Sequence, residues 1–311
     1  MKKESLLSFS SLFSLDCKKN ISKEKLVTKI YDNKDDIVKN IVDIFQIDEY
    51  LSIKYVLSKK GKVTIRVNHL LEYFVKNLVR NNLMIKIDDK NFYMPEDLLL
   101  SFKKNLKNHK KKFFENNTKE YNLILGFLDT YGVIEFTNFY DLYTVNYKLN
   151  KENALNRLKF ITNFYNEIKL ITDKKTVYLV NSIIDEKNAY KKYIYDKKEY
   201  AIYTNNELRN IHSLEYLKKF KSYKKFNKYL RSTYFIEKNN IKIINKYVLI
   251  PFFNYNQLNK EKAMIILDDL LEKYFEQTKK SKKIMIDYIV DVSHDYPRWD
   301  LKGYSEREKV C

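Results

Sequence analysis

Residues 82–95 read NLMIKIDDKNFYMP, in which two short apolar runs flank the polar triplet Asp88-Asp89-Lys90. Apolar runs on either side of a turn-forming triplet are typical of a two-stranded β-hairpin. The pattern returns at residues 166–179, NEIKLITDKKTVYL, and in a shorter form at residues 240–251, NIKIINKYVLIP. The sequence therefore predicts three hairpins, and each of them follows a stretch with helical periodicity.

The first two hairpins belong to longer segments that align with each other without a gap. Tyr93 aligns with Tyr178, and the same spacing of 85 positions pairs Tyr55 with Tyr140. In both segments, apolar residues at helical spacing predict helices before the hairpin. A helix followed by a short two-stranded turn is how a winged helix-turn-helix ends. The repeat therefore favours tandem modules of this kind over a single catalytic domain.

The predicted fold class is mainly α with small β-hairpin wings, built as tandem winged helix-turn-helix-like modules plus a C-terminal helical segment. We expect five regions along the chain. They are an N-terminal arm at 1–33, winged-helix-like module 1 at 34–108, winged-helix-like module 2 at 118–195, a basic helix plus short wing that forms a degenerate module 3 at 200–256, and a C-terminal helical segment with a tryptophan clasp at 257–311.

The composition is strongly cationic. Lys and Arg number 59 against 40 Asp and Glu, which leaves a formal net charge of +19. Such a charge favours polyanionic partners, nucleic acid above all. An AT-rich coding background is the alternative source of the excess, since it raises the lysine content everywhere in a chain. The charge therefore supports nucleic-acid binding without establishing it.

The sequence contains few residues in patterns typical of catalysis, phosphate binding or metal binding. With only four glycines, the chain has no Gly-rich loop to hold phosphates. Cys17 and Cys311 are too few for a disulfide framework or a four-ligand zinc site, and the four histidines share no metal-binding spacing. We therefore expect no enzyme activity, no metal and no cofactor. The cysteine count fits a reduced, cytoplasmic location, and no apolar run approaches the roughly 18 residues of a membrane span.

Basic residues in and around the predicted third helices and wings are the first candidate phosphate contacts. Such a helix enters the major groove, and a wing can reach a neighbouring groove. The candidates are Lys59, Lys60, Lys62, Arg66, Arg80 and Lys90 in module 1, and Arg157, Lys159, Lys174 and Lys175 in module 2. The alternative is that these are solvated charges on modules that pack against protein.

The densest positive patch lies in a predicted long helix from Ser213 to Arg231. Its cations are Lys218, Lys219, Lys221, Lys224, Lys225, Lys228 and Arg231. The interleaved Phe220, Tyr223 and Phe226 fall near one another at 3.6 residues per turn. They are therefore predicted to form a buried stripe and not stacking platforms for bases. The lysines around this stripe remain candidate phosphate contacts.

The only tryptophan lies in residues 294–308, HDYPRWDLKGYSERE. Trp299 and Leu301 are predicted to anchor an extended segment, and Gly303 permits a tight turn. Ser305 can cap a last helical turn together with Glu308 three residues later. We expect these residues to form a structural clasp at the end of the helical body.

The same segment resembles the Trp-Glu-Leu-Lys-Gly stretch that closes uncharacterised bacterial and phage winged-helix proteins of the SEC-C-associated kind. The positions that match are Trp299, Asp300 in place of Glu, Leu301, Lys302, Gly303, Tyr304, Ser305 and Glu308. Glu306 stands where that pattern has Pro. The sequence up to Cys311 does not contain the zinc-binding Cys-x-Cys and Cys-His ligands of those proteins. The resemblance therefore implies winged-helix modules and implies neither a zinc site nor an activity.

The leading functional hypothesis is non-enzymatic binding of nucleic acid, DNA or RNA, by a bacterial or phage regulator. In it the third helices and wings contact the phosphate backbone. The alternative hypothesis is a protein-interaction inhibitor of a ribonucleoprotein such as a CRISPR effector, an anti-CRISPR-like protein whose basic surface grips or competes for the RNA. No membrane partner is expected.

Overall fold

The computed structural model describes residues 3–65 except 14, 16, 18 and 19, and residues 69–143, 150–184, 200–236, 241–275 and 279–310. The chain divides into two compact units. The first contains Met1–Tyr121 and Leu149–Asn166, and the second contains Asn122–Lys148 and Glu167–Cys311. Most of the secondary structure in both units is helical, as the sequence predicts.

The α-helices are, in chain order, α1 (Lys3–Leu12), α2 (Lys23–Asp32), α3 (Lys34–Ile44), α4 (Ile47–Ser58), α5 (His69–Arg80), α6 (Glu96–Leu106), α7 (Lys111–Tyr131), α8 (Phe136–Tyr143), α9 (Lys151–Phe164), α10 (Asn205–His212), α11 (Lys221–Thr233), α12 (Ile241–Ile244), α13 (Ile250–Leu258), α14 (Lys260–Tyr274), α15 (Lys279–Ser293) and α16 (Glu306–Val310). The strands are β1 (Lys62–Thr64), β2 (Ile85–Lys86), β3 (Asn91–Tyr93), β4 (Val133–Glu135), β5 (Ile168–Asp173) and β6 (Thr176–Asn181).

The core of the first unit is built around the ring of Phe45, which follows the last residue of α3 and is fully buried. Three aromatic rings from three other helices surround it. Phe74 of α5 meets it edge-on at 5.6 Å, Phe102 of α6 stacks at 6.0 Å, and Phe164 of α9 lies at 5.8 Å. Aromatic clusters of this kind dominate core energetics because each ring buries a large apolar area.

The first predicted hairpin is confirmed, and it carries a third strand. β2 and β3 pair antiparallel, and β1 pairs with the other edge of β3, which gives the strand order β1-β3-β2. Val63 and Phe92 lie opposite each other and are buried, whereas Lys62 and Thr64 are exposed. This alternation places one face of the small sheet against the core.

The carboxylate of Asp88 organises the hairpin turn. It accepts hydrogen bonds from the backbone N–H groups of Lys90 and Asn91, both at 2.8 Å, and from the Asn91 side-chain amide at 2.8 Å. The Asn91 side chain and then the two backbone donors hold the pKa of Asp88 below its ordinary value. Such Asx geometry is the physical basis of the turn signal in the sequence.

We expect the turn to weaken as the pH falls through the folded-state pKa of Asp88. Because that pKa is lowered, its stabilising effect is fully present above the unfolded value of about 3.9 and is lost below the folded value. Carboxyl NMR titration checks this directly. An Asp88 resonance that titrates at or above about 3.9 contradicts the prediction.

The second predicted hairpin is also confirmed. β5 and β6 pair antiparallel from Ile168 opposite Asn181 to Asp173 opposite Thr176, so the loop consists of two residues. Lys174, the first of them, takes a left-handed conformation with φ of 54°. β4, which the sequence did not predict, pairs with β6 and gives the order β4-β6-β5.

The third predicted hairpin is wrong. Residues 241–258 are helical throughout, with a π-helical turn, Asn245–Leu249, between α12 and α13. Ile241, Ile244 and Val248 are buried at spacings of three and four residues, which is a helical pattern hidden in the apolar run. Tertiary burial therefore overrides the turn signal at residues 245–246, and no degenerate wing exists there.

The predicted long basic helix from Ser213 to Arg231 is interrupted. Leu214 has a left-handed backbone with φ of 58°, a short 3₁₀ helix covers Glu215–Lys219, and Phe220 is extended before α11 begins. The two compact units also divide predicted module 2, since α9 lies in the first unit and its hairpin lies in the second. Residues 185–195 of that module lie outside the described residues.

The C-terminal segment closes the second unit. Trp299 is fully buried and packs with Val133 and Val180 of the second sheet. Its indole Nε1 donates to the Asp129 carbonyl at 3.0 Å, and its backbone N–H donates to the Gln257 side chain at 3.1 Å. The indole ring is thus held by packing and by one hydrogen bond, and the backbone of Trp299 is held by a second.

Three further clasp residues follow the tryptophan. Leu301 is half-buried, and Gly303 has φ of 91° at a point where the Tyr131 ring leaves no space for a side chain. Ser305 and Glu308 exchange two hydrogen bonds, one from the Ser305 N–H to the Glu308 carboxylate at 2.7 Å and one from the Glu308 N–H to the Ser305 hydroxyl at 3.3 Å. This is a capping box at the start of α16.

Candidate nucleic-acid interface

Helix α11 has two faces of opposite chemistry. Ser222, Tyr223, Phe226 and Leu230 are buried. The opposite face exposes five cations, Lys221, Lys224, Lys225, Lys228 and Arg231, at spacings of one, three and four residues. Since a helix turns every 3.6 residues, these side chains form one continuous stripe. We call this stripe the cationic face.

Helix α11, which carries the cationic face, is held in the second unit by contacts with other elements. Tyr223, on the buried side of α11, accepts a hydrogen bond at its phenol oxygen from the Asn245 amide at 2.7 Å. Ser222 donates to the buried carboxylate of Asp295. The Tyr229 ring packs on Tyr288 of α15 at 4.9 Å. The lysines on the other side are therefore held along a straight element about 20 Å long.

Tyr229 also bonds α11 to the start of α15. Its hydroxyl donates to the Ser281 carbonyl at 3.2 Å. Burial, assisted by the neighbouring Tyr234, raises the pKa of Tyr229 to about 12. The phenol therefore stays protonated at neutral pH and remains a donor.

A groove of about 650 Å³ separates the cationic face from α15. It is lined by Lys225, Lys228, Tyr229, Ser232, Ile284, Asp287, Tyr288 and Asp291. On the α15 side the groove carries Asp287 and Asp291, and Asp291 is paired with Arg307. At 100° per residue, Lys224 and Arg231 lie on the side of α11 that faces away from the groove. These two cations are therefore the ones farthest from the carboxylates of the groove.

The cations just before α11 have local partners. Lys218 forms an ion pair with Glu215, and the Lys219 ammonium lies 3.7 Å from the centroid of the Tyr216 ring. In the described part of the chain, Lys221, Lys225, Lys228 and Arg231 have no such ion pair. Their charges are available to an external anion.

The predicted contacts of module 1 are dispersed around the first sheet. Lys59, Lys60 and Lys62 are exposed where α4 leads into β1, and Lys90 is exposed in the hairpin turn. The Arg80 guanidinium, exposed at the end of α5, donates to the Phe164 carbonyl, and so has a structural partner. Arg66 lies outside the described residues.

The predicted phosphate contacts of module 2 differ in their exposure to solvent. Arg157 does not face solvent as a phosphate contact should. Two of its nitrogens donate to the Glu120 carboxylate, both at 2.6 Å, and the guanidinium also reaches Asn117 and the Asp43 carbonyl. Its side chain is 22% exposed and that of Glu120 is 4% exposed. The pair belongs to the core of the first unit.

The other three module 2 candidates, Lys159 of α9 and Lys174 and Lys175 of the hairpin loop, are exposed. Lys159 lies in the first unit, and the two loop lysines lie in the second. The seven candidate lysines that remain exposed in the two predicted modules are spread over several elements, whereas the five cations of the cationic face share the single helix α11.

Sequence reasoning missed one conspicuous side chain beside the cationic face. Phe235 follows the cap of α11, is 86% exposed and has φ of 52°. The signal that could have found it is an aromatic residue two positions after a basic amphipathic helix. It also missed Glu120, because the partner of Arg157 is 37 positions away in the sequence.

In the residues that the structure describes, no group of three or more His, Cys, Asp and Glu side chains is placed to hold a metal ion. No described helix has the length and apolar character needed to cross a membrane. The chain matches no protein-family model, and comparisons with curated proteins and with solved structures find no similar protein. The resemblance of the Trp299 segment to SEC-C-associated proteins stays a prediction, and function is inferred from the geometry of the cationic face.

Proposed function

We propose that this protein binds nucleic acid, without catalysis, through the cationic face of α11. The observation that carries the proposal is the alignment of five exposed cations on one docked helix, opposite its buried stripe. Phosphate contacts of this type supply most of the affinity for nucleic acid and steer association. The net charge of +19 adds a long-range attraction that any polyanion experiences.

We further propose that α9, the third helix of predicted module 2, has an architectural role. The element order from α7 to β6, helix-strand-helix-helix-strand-strand, and the strand order β4-β6-β5 are those expected of a winged-helix-like module, but the two units divide this segment. The third helix, α9, uses its arginine to bind Glu120. A helix that reads the major groove keeps such a side chain for bases or phosphates. The phosphate-binding role therefore passes from α9 to α11.

Neutralising the cationic face is expected to remove most of the salt-sensitive affinity. The test variant replaces Lys221, Lys224, Lys225 and Lys228 with Gln. Each phosphate contact contributes about 0.7 to 0.9 to the slope of log K against log salt, so the slope is expected to fall by roughly 3. Fluorescence anisotropy with labelled DNA and RNA at several KCl concentrations measures it.

The matched control replaces four exposed lysines of the first unit, Lys103, Lys107, Lys110 and Lys112, with Gln. It has the same net charge as the test variant. An equal loss of slope in both variants shows that binding follows overall charge and contradicts a site on α11. Failure of the wild-type chain to bind any duplex or single strand at low salt contradicts nucleic-acid binding itself.

A pull-down from native cells separates this proposal from inhibition of a ribonucleoprotein. Direct binding predicts that nuclease treatment releases the captured nucleic acid and leaves no stoichiometric protein partner. Recovery of a defined ribonucleoprotein that survives neutralisation of the cationic face favours the inhibitor instead.

A further inference from the structure

Phe235 lies at a backbone position that an aromatic residue rarely occupies. α11 ends at Thr233, and the N–H of the capping Tyr234 donates to the Leu230 carbonyl at 3.0 Å. The next residue takes the left-handed conformation, where glycine is the usual occupant because it has no Cβ. An aromatic residue with φ of 52° at this position is strained.

Burial of the Phe235 side chain does not offset this strain. Phe235 is 86% exposed, so its ring has almost no burial to offset the strained backbone. A strained residue whose side chain faces solvent is a reason to look for a role in binding. Ordinary exposed apolar residues do not combine both features.

Phe235 follows a well-packed residue and lies near several cations. The preceding Tyr234 is packed between Tyr229, at 5.9 Å, and Phe275, at 5.3 Å. Arg231 is exposed one turn earlier on α11. The Tyr229 bond to Ser281 holds the start of α15 beside this end of α11. Lys280 and Lys283 lie within two positions of Ser281 and are exposed.

We propose that Phe235 is a stacking platform for an unpaired base, and that the cationic face consequently prefers single-stranded nucleic acid. The inference rests on the proposed function, because the cations of α11 hold the backbone that brings the base to the ring. Aromatic side chains beside a positively charged track are the general means of binding single strands. In a duplex the base faces are covered by their neighbours, so only a single strand can use the ring.

The length of the site fits a short single strand. The cationic face extends about 15 Å along α11 from Lys221 to Arg231, and Phe235 follows the C-terminal end of that helix. A strand that follows Lys221 to Arg231 with its phosphates therefore places a base at Phe235. On the groove side, Asp287 and the Arg307-paired Asp291 oppose Lys225 and Lys228, whereas Lys224 and Arg231 on the outer side face no such carboxylate of the groove, which favours the outer side as the path of the phosphates.

The test variant is Phe235→Gly, which removes the ring and relieves the strained backbone. Its thermal stability is expected to equal or exceed that of the wild type, so a loss of binding cannot come from unfolding. We expect about tenfold weaker binding of an oligothymidylate of about 12 nucleotides, and no change for a duplex of the same length. Fluorescence anisotropy at one fixed KCl concentration measures both.

Two further variants sharpen the result. Phe235→Trp keeps a stacking surface and is expected to retain binding, with quenching of its indole fluorescence on addition of the oligothymidylate. Ile202→Gly removes another strongly exposed apolar side chain of the second unit, 93% exposed, and is expected to leave binding unchanged.

Several outcomes overturn the inference. Equal loss for single strand and duplex, or no loss for either, excludes base stacking at Phe235 while the proposed function stands. Phe235-dependent binding to vesicles of phosphatidylserine and phosphatidylcholine, without a single-strand preference, shows that the ring inserts into a membrane surface instead. If the wild-type chain binds neither oligonucleotide, the proposed function itself fails.

Discussion

Replacement of Trp299 by alanine is expected to lower the free energy of unfolding by about 3–5 kcal/mol. The ring is fully buried against Val133 and Val180, so its removal leaves a large cavity. It also leaves the Asp129 carbonyl without the indole donor that now lies 3.0 Å away. A buried acceptor without a partner adds its own desolvation cost.

The closeness of the packing makes collapse of the cavity difficult. A Cβ added at Gly132, which has φ of 70°, meets the Trp299 ring at 2.5 Å. The backbone therefore already touches the indole on one side and cannot approach further. Cavities that cannot relax are the most costly ones.

Urea unfolding followed by far-UV circular dichroism measures the effect, since the variant has no tryptophan to report by fluorescence. Trp299→Phe is the matched control. It keeps most of the ring and removes the Nε1 donor, so we expect a loss of about 1–3 kcal/mol. An alanine variant as stable as the wild type shows that the clasp does not hold the second unit.

Replacement of Glu120 by alanine is expected to cost about 3–5 kcal/mol of unfolding free energy. Glu120 is 4% exposed and accepts two hydrogen bonds from Arg157. Without it, the guanidinium loses the carboxylate that accepts two of its hydrogen bonds, while its bonds to the neutral Asn117 side chain and the Asp43 carbonyl remain. The cost arises from an uncompensated buried charge and not from the strength of the pair itself.

A double variant tests that explanation. Glu120→Leu combined with Arg157→Met replaces the ion pair by apolar side chains of similar size, and such replacements are often neutral or stabilising. We expect the double variant to be more stable than Glu120→Ala, with a large coupling energy in the double-mutant cycle. Additive losses contradict a buried ion pair.

The same arginine distinguishes a structural role from a phosphate contact. If Arg157 serves the core alone, Arg157→Met combined with Glu120→Leu leaves the salt dependence of nucleic-acid binding unchanged. A fall of about 0.7 to 0.9 in the log–log slope assigns the side chain to phosphate after all.

Local rules predicted the parts of the fold that are held by local chemistry. The hairpin at residues 82–95 forms because Asp88 accepts the hydrogen bonds of its own turn, and the second forms because two largely apolar runs flank a two-residue loop. The division of α11 into a buried stripe and a cationic face follows from the helical period, and Tyr223 and Phe226 are buried as that period predicts.

Local rules failed where a segment satisfies two patterns at once. Residues 241–250 can form either a hairpin or a helix, because Ile and Val occur at both spacings. Burial of Ile241, Ile244 and Val248 on one side selects the helix. The π-helical turn that accompanies it begins at Asn245, whose amide donates to Tyr223 of α11, 22 positions away.

The sequence by itself determined the mainly helical character, two of the three hairpins and the row of cations at residues 221–231. These features depend on periodicity, turn chemistry and charge, which act between residues a few positions apart. Only the tertiary structure decided which cations are available, because it brings Glu120 to Arg157 across 37 positions of the sequence. It also decided the packing of Trp299 against Gly132. Desolvation of a charge depends on those distant partners, so a basic residue forms a core ion pair in α9, whereas the basic residues of α11 stay exposed to solvent.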